Sequence, residues 1–286
     1  MPVAMATAIL AATEACSLFT DLSGFTGPAD AAEDRESPGD GGDPSDARDG
    51  GSQPTNDAAT SRYASVVLAD RPLVYLRLGE APGRIANDAT GNGNSGALGS
   101  GHVFGVPGVI VRDPDTALRL DGTTSGIDLG KKFDFPGTQP YSLEIWAKVD
   151  LVDMTFRHFF QKAAFPAGGR QSYGVFVWNG LFVYERVIGG TNLTVQLDAN
   201  KIAGRWAHLV ATYDGAFLRT YIDGLEAGKT ADSRAAGAIN QTLYAGCNTG
   251  FDNGVIKGDL DEVAVYDQAL SAERVQIHYD TGSGLR

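Results

Sequence analysis

Apolar and polar residues alternate in short runs over most of the chain beyond residue 61, and turn residues separate the runs. The clearest stretch is Arg205 to Gly224. Residues Trp206 to Tyr213 alternate, with Ala207, Leu209, Ala211 and Tyr213 on one face and Trp206, His208, Val210 and Thr212 on the other. Asp214-Gly215 then supplies a turn, Phe217 to Ile222 alternates again, and Asp223-Gly224 closes the second run. This pattern predicts an antiparallel hairpin. Tyr141 to Val149 repeats it, placing Leu143, Ile145, Ala147 and Val149 opposite Ser142, Glu144, Trp146 and Lys148. Tyr173–Trp178 and Leu181–Val187 flank Asn179-Gly180, a strong hairpin signal. Further strands are expected at 74–78, 117–120, 126–129, 158–162, 191–197, 241–245 and 263–266. Ser271 is placed to cap a short helix running through Tyr279, with Glu273 in its first turn. Many short strands and little helix predict an all-β, two-sheet antiparallel sandwich.

Charge divides the chain. The net charge is −12 over 286 residues, and residues 28–60 hold nine carboxylates against two arginines. That segment has no aromatic residue and no Val, Ile or Leu. It cannot bury enough apolar surface to offset its conformational entropy, so residues 28–61 are expected to form a disordered acidic linker. Before it, the apolar run 4–12 is followed by Cys16. Residues 1–27 therefore resemble a bacterial lipoprotein signal, with Cys16 as the lipidated residue, although no Lys or Arg precedes the run and Glu14 lies two residues before Cys16. Contact with a membrane is expected only through such an anchor, because no apolar run approaches the roughly 20 residues a span needs. Nothing is basic enough for a nucleic-acid footprint. Cys247 is the one other cysteine and is expected to be a free thiol with no catalytic partner.

Five stretches, in order, resemble the laminin-G-like or concanavalin A-like lectin jelly roll: DRPLVYLRLGE (70–80), NDATGNGNSGAL (87–98), YSLEIWAKV (141–149), the hairpin W-x-H-L-V-A-T-Y-D-G with L-R-x-Y-I-D-G, and KGDLDEVAVYDQALS (257–271). The resemblance covers residues 62–286 and implies a jelly-roll sandwich. Its functions are several, since the fold hosts binding modules, adhesion domains and enzymes. It also implies a structural calcium site, with Asp88 and the carbonyls of Gly93 and Gly96 on one side and Asp261 on the other.

Candidate catalytic chemistry is sparse. No strand carries the E-x-D-x-x-E spacing of laminarinase-type enzymes, and Asp259, Asp261 and Glu262 do not substitute for it. The four histidines, His102, His158, His208 and His278, show no metal-ligand spacing. Gly91, Gly93 and Gly96 match G-x-G-x-x-G without the flanking strand and helix a dinucleotide site requires. A non-catalytic module is therefore expected, binding a glycan or a surface protein at the cell envelope or outside the cell. The alternatives are a carbohydrate-active enzyme or a purely structural module. Sugar recognition needs exposed aromatic faces beside polar groups. Trp146, Trp178, Tyr184 and Phe251 are the candidates. In the Asn-Gly hairpin Phe176, Trp178, Leu181 and Val183 share one face while Phe182 and Tyr184 share the other, and periodicity leaves open which of the two is core.

Overall fold

The computed structural model describes residues 61–150, 154–250 and 254–285. Cys16, Phe251 and the acidic segment lie outside them. In chain order the elements are α1 (Arg62–Ala69), β1 (Val74–Leu76), β2 (Ile85–Ala86), β3 (Gly96–Leu98), β4 (His102–Pro107), β5 (Thr116–Asp121), β6 (Ile127–Asp128) and β7 (Tyr141–Val149). They continue as β8 (Arg157–Ala164), β9 (Gln171–Trp178), β10 (Leu181–Ile188), β11 (Thr191–Asp198), β12 (Trp206–Tyr213), β13 (Phe217–Ile222), β14 (Leu225–Ala231), β15 (Tyr244–Ala245), β16 (Lys257–Tyr266) and α2 (Ala272–Gly282).

The strands form two antiparallel sheets. One runs β14-β13-β12-β7-β16-β5-β4, with β1 also paired to β16, and the other runs β11-β10-β9-β8-β15-β6-β3-β2. The alternation in β7 and β12 explains their place at the centre of the first sheet. Leu143, Ile145, Ala147, Leu209 and Ala211 face inward to meet Phe159, Phe160, Val175, Phe182 and Tyr184 of the second sheet. The opposite face of the first sheet is also covered. There α1 and α2 lay Tyr63, Val67 and Val275 over Trp146, Val210, Tyr221 and Tyr266. Both helices pack on the first sheet, so the outer face of the second sheet is left to its own side chains and loops.

Ser271 caps α2 as expected, its hydroxyl accepting the Arg274 N–H, and Glu273 sits in the first turn. Helix α1 was not expected. Its eight residues include a Val-Val pair and carry no acidic first turn, and Ser61 caps it by accepting the Ala64 N–H. Strand β16 is longer than the expected 263–266 because a bulge lies between Asp261 and Ala264. Glu262 there takes a left-handed φ of 54°, so the alternation breaks where the strand continues.

Upstream of that bulge β16 runs tightly against β7. A Cβ on Gly258 would stand 2.1 Å from the Lys148 carbonyl oxygen, a backbone atom that cannot swing away. Gly258→Ala is expected to destabilise the fold by about 1–3 kcal/mol through this overpacking, read as a lower urea midpoint with an unchanged slope. An unchanged midpoint would refute the packing argument.

Candidate ligand-binding face

The open face of the second sheet is organised by its register. A single cross-strand row runs through Thr194, Glu185, Gly174, Gln161, Tyr244, Asp128, Ala97 and Ile85, one residue from each of the eight strands. Their neighbours along each strand point inward, including Tyr184, Val175, Phe160 and Ile127. Side chains alternate across a pleated sheet, so the row lies on the outer face. Gly174 keeps the middle of the row low. A Cβ there would stand 2.2 Å from Gln161 Oε1, so the Gln161 side chain lies across the glycine.

Beside this row is an aromatic cluster. Phe156, just before β8, stacks on Trp178 with ring centroids 5.0 Å apart and planes 7° from parallel. Phe156 also meets Phe176 at 5.5 Å, and Phe176 meets His158 at 5.3 Å. Phe156 and Trp178 are each 37% exposed, whereas Phe176 beneath them is buried. The stack is thus a partly open apolar platform on a closed base.

The polar groups next to it are buried and only partly satisfied. Arg170 donates through Nη2 to Glu185, and the Ser172 hydroxyl donates to the same Glu185 oxygen at 3.3 Å. Burial pushes the Glu185 carboxyl above the usual carboxylate range, and Arg170 and Ser172 pull it back. Burial also holds His158 down to about 4, so its ring is neutral at pH 7. Gln161 Oε1 and Arg170 Nε are buried and have no hydrogen-bond partner. Such groups are costly to leave unmade.

The expected site residues fall in different places. Trp178 stands on the open face. Trp146 does not: it is 3% exposed on the helix-covered face of the first sheet, and its indole N–H donates to the Tyr63 hydroxyl at 2.9 Å. Its neighbours Glu144 and Lys148 suggested a polar face, but α1 and α2 cover that face. Tyr184 is buried between the sheets and donates to the Tyr141 hydroxyl at 3.0 Å. The hairpin therefore turns Phe182 and Tyr184 inward and Phe176 and Trp178 outward. Neither Trp146 nor Tyr184 offers a ring to a ligand.

The carboxylates expected to hold calcium serve separate sets of donors. Asp88 Oδ1 accepts from the N–H groups of Tyr75 and Thr90 and from the Thr90 hydroxyl, and its Oδ2 accepts the Asn94 N–H at 2.8 Å. Gly93 lies in the same loop with φ 74°, while Gly96 is in β3, paired with Ala86. Asp261 accepts the Val109 N–H at 3.0 Å through Oδ2. Its other oxygen has no hydrogen-bond partner, and burial together with Asp115 pushes the carboxyl well above its usual range. With Asp88 so engaged, this arrangement is a poor fit to a single ion bridging the two. Among the described residues no three His, Cys, Asp or Glu side chains are grouped to hold a metal.

Sequence reading did not find Phe156, Gln161, Arg170 or Glu185. They come from separate segments and meet only through the register. Away from this face, a concavity of about 390 Å³ is lined by Arg77, Asp113, Asp115 and residues from the helix ends. Arg77 bridges Asp113 at 2.7 Å and Asp115 at 2.8 Å there, so its charges are committed internally.

The model of the concanavalin A-like lectin/glucanases superfamily matches residues 121–276, and the chain belongs to that superfamily. Three solved structures share the fold. The binding domain of Paraclostridial Mosquitocidal Protein 1 is 16% identical, with a TM-score of 0.58 over 75% of this chain and 53% of that one. The receptor binding domain of botulinum neurotoxin C/D mosaic serotype is 12% identical, with a TM-score of 0.57 over 74% and 51%. The botulinum neurotoxin serotype D ligand binding domain, in complex with N-acetylneuraminic acid, is 14% identical, with a TM-score of 0.58 over 76% and 52%. The chain spans about half the length of these structures. No curated protein matches it. Among the described residues no helix is long and apolar enough to cross a membrane.

Proposed function

We propose that the chain is a non-catalytic binding module whose open sheet face takes a glycan, free or carried on a surface molecule, at the cell envelope or outside the cell. The observation that carries this reading is the Phe156–Trp178 stack, each ring 37% exposed, on the sheet face that also bears the partly exposed Arg170 guanidinium. Sugar rings present an apolar C–H face and hydroxyls together, and this face offers a partner to each. Glycan-binding and receptor-binding domains among the similar structures support the same reading. Lipidation at Cys16 is part of the proposal and would show in the mass of the mature N-terminus.

Catalysis on the same scaffold is the competing reading. A glycosidase needs two carboxyl groups about 5–9.5 Å apart across the scissile bond. Glu185 and Asp128 share the row but are four strands apart, or roughly 19 Å at about 4.8 Å per strand. That spacing favours binding.

The test is a glycan array probed with the full chain, once with calcium and once with EDTA. Binding to a defined glycan class supports the reading, and a folded chain that binds no sugar refutes it. Calcium enters only as a structural ion, decided by melting the same two samples. An ion bound tenfold more tightly than its ambient level would add about 1.4 kcal/mol, and identical melting curves would remove calcium from the account.

A further inference from the structure

Helix α1 is fastened to the sandwich at both ends, and one fastening depends on a proton. Near its start the Tyr63 hydroxyl donates to Glu144 at 3.1 Å and accepts the Trp146 indole N–H at 2.9 Å. At the other end the C-cap residue Asp70 meets His278 Nε2 at 2.7 Å and the Arg274 guanidinium at 2.8 Å. The second ring nitrogen of His278, Nδ1, lies 2.9 Å from Glu144. The ring therefore stands between two carboxylates. Around it, α2 supplies Arg274, α1 turns the Tyr63 ring toward it, and β12 and β16 bring His208 and Tyr266 to the same Glu144.

A histidine ring donates from both nitrogens only as the cation, whereas neutral imidazole has one donor and one acceptor. Burial works against the charged ring, but Glu144 and Asp70 outweigh it and raise His278 to about 9. When the ring loses its proton, one carboxylate must lose its donor. Glu144 is shut off from water, and an uncompensated buried charge is the costlier fault, so the remaining proton stays on Nδ1. Asp70 is 16% exposed and then faces a bare lone pair on Nε2. Asp70 is the group that moves.

The chain on either side of Asp70 is suited to swing. Arg71 has a left-handed φ of 51°, uncommon for a residue with a side chain, and Leu73 is the next residue fixed to the sheet, through Val265 at 2.7 Å. Within α1 only Tyr63, Ala64 and Val67 are buried, and eight residues are too few to hold a helix alone. Arg274 and Gln268 also donate to the carbonyls of Val66 and Asp70. Those bonds do not titrate here and guide the helix back when the proton returns.

We propose that α1 is a latch, docked while His278 bridges Glu144 and Asp70 as the imidazolium and undocked locally, with the sandwich still folded, when the ring is neutral. The acidic segment expected to tether the module joins at Ser61. Release of residues 61–72 would lengthen that tether by up to roughly 40 Å. The latch is independent of what the open face binds.

The test is pulsed backbone amide hydrogen exchange on the full chain from about pH 6 to about pH 10, corrected for the intrinsic rate at each pH. By about pH 10 protection over residues 62–69 should fall below about tenfold, while β7 and β12 stay more than about a hundredfold better protected. In Asp70→Asn the side-chain amide can donate to the bare Nε2, so protection of α1 should change less than about threefold over the same range. Loss of protection in step across α1, β7 and β12 would overturn the latch, as would an α1 that stays protected while His278 titrates. If Asp70→Asn fails to fold, the wild-type comparison of α1 with β7 decides by itself.

Discussion

Glu144→Ala should be the most damaging single substitution in the described region. Glu144 is fully buried on the helix-covered face of the first sheet. Its carboxylate accepts from the Tyr63 hydroxyl at 3.1 Å, the Tyr266 hydroxyl at 2.5 Å, His208 Nε2 at 2.8 Å and His278 Nδ1 at 2.9 Å. His278 passes the connection on, with Nε2 at 2.7 Å from Asp70, which Arg274 also holds. One carboxylate thus ties β7, β12, β16, α1 and α2 together. Removing it strands two hydroxyls and a buried charge, and breaking a buried pair from one side costs about 3–5 kcal/mol. At about 2–4 °C per kcal/mol for a domain of this size, the melting temperature should fall by roughly 6–20 °C. Glu144→Gln keeps part of the hydrogen bonding and should fall between. A melt within about 2 °C of wild type would show that the network contributes little to stability.

The same network sets a pH dependence. Glu144 and Asp70 together raise His278 to about 9 against the opposing effect of burial. A folded value above the unfolded one of about 6.5 means that the stabilisation is complete below pH 6.5. It is lost as pH rises through about 9. The two carboxylates act at the other end: Glu144 is held well below its ordinary range and Asp70 is lowered. Their contribution is present above the usual carboxylate range and is lost as pH falls through their folded values. Stability should therefore be highest between about pH 5 and 6.5 and decline by about 3 kcal/mol toward pH 9. His278→Gln should flatten the alkaline limb. A wild-type curve level from pH 6 to 10 would contradict the charged form of His278.

Trp178→Ala should do the opposite, sparing the fold and removing the ligand. The side chain is over a third exposed and its stacking partner Phe156 is equally open, so little buried surface is lost. Loss of a stacking face worth about 1–2 kcal/mol would weaken sugar binding by roughly five- to thirtyfold. Removing Phe156 as well should abolish detectable binding, since the platform is then gone. Trp146→Ala is the contrasting case, destabilising the helix-covered face without touching the ligand. Binding by Trp178→Ala at wild-type affinity would remove the aromatic platform from the account.

Much of the sandwich was legible because alternation survives wherever a strand runs without interruption. Strands β7, β12 and β13 begin and end where the pattern says. What alternation could not say is which face meets water. The face of β7 that bears Glu144 and Trp146 reads as polar and looks exposed, yet the helices bury it and use the polarity as a tie. In the β9–β10 hairpin both faces are apolar, so Tyr184 and Trp178 were equal candidates until the sheet's inward side was known. Bulges hid further detail, as at Glu262, where one left-handed residue ends the pattern in mid-strand. The candidate face itself left almost no local mark. Arg170, Gln161 and Glu185 are single polar residues in three separate segments, and only the cross-strand register makes them neighbours.

Backbone amide NMR on the deuterated full chain, titrated with the tightest array-selected sugar, tests the central claim most directly. The account predicts shift changes concentrated at Phe156, Gln161, Gly174 and Trp178 and their cross-strand neighbours on the open face. Changes centred instead on the concavity around Arg77 and Asp113, with the second sheet unmoved, would contradict it.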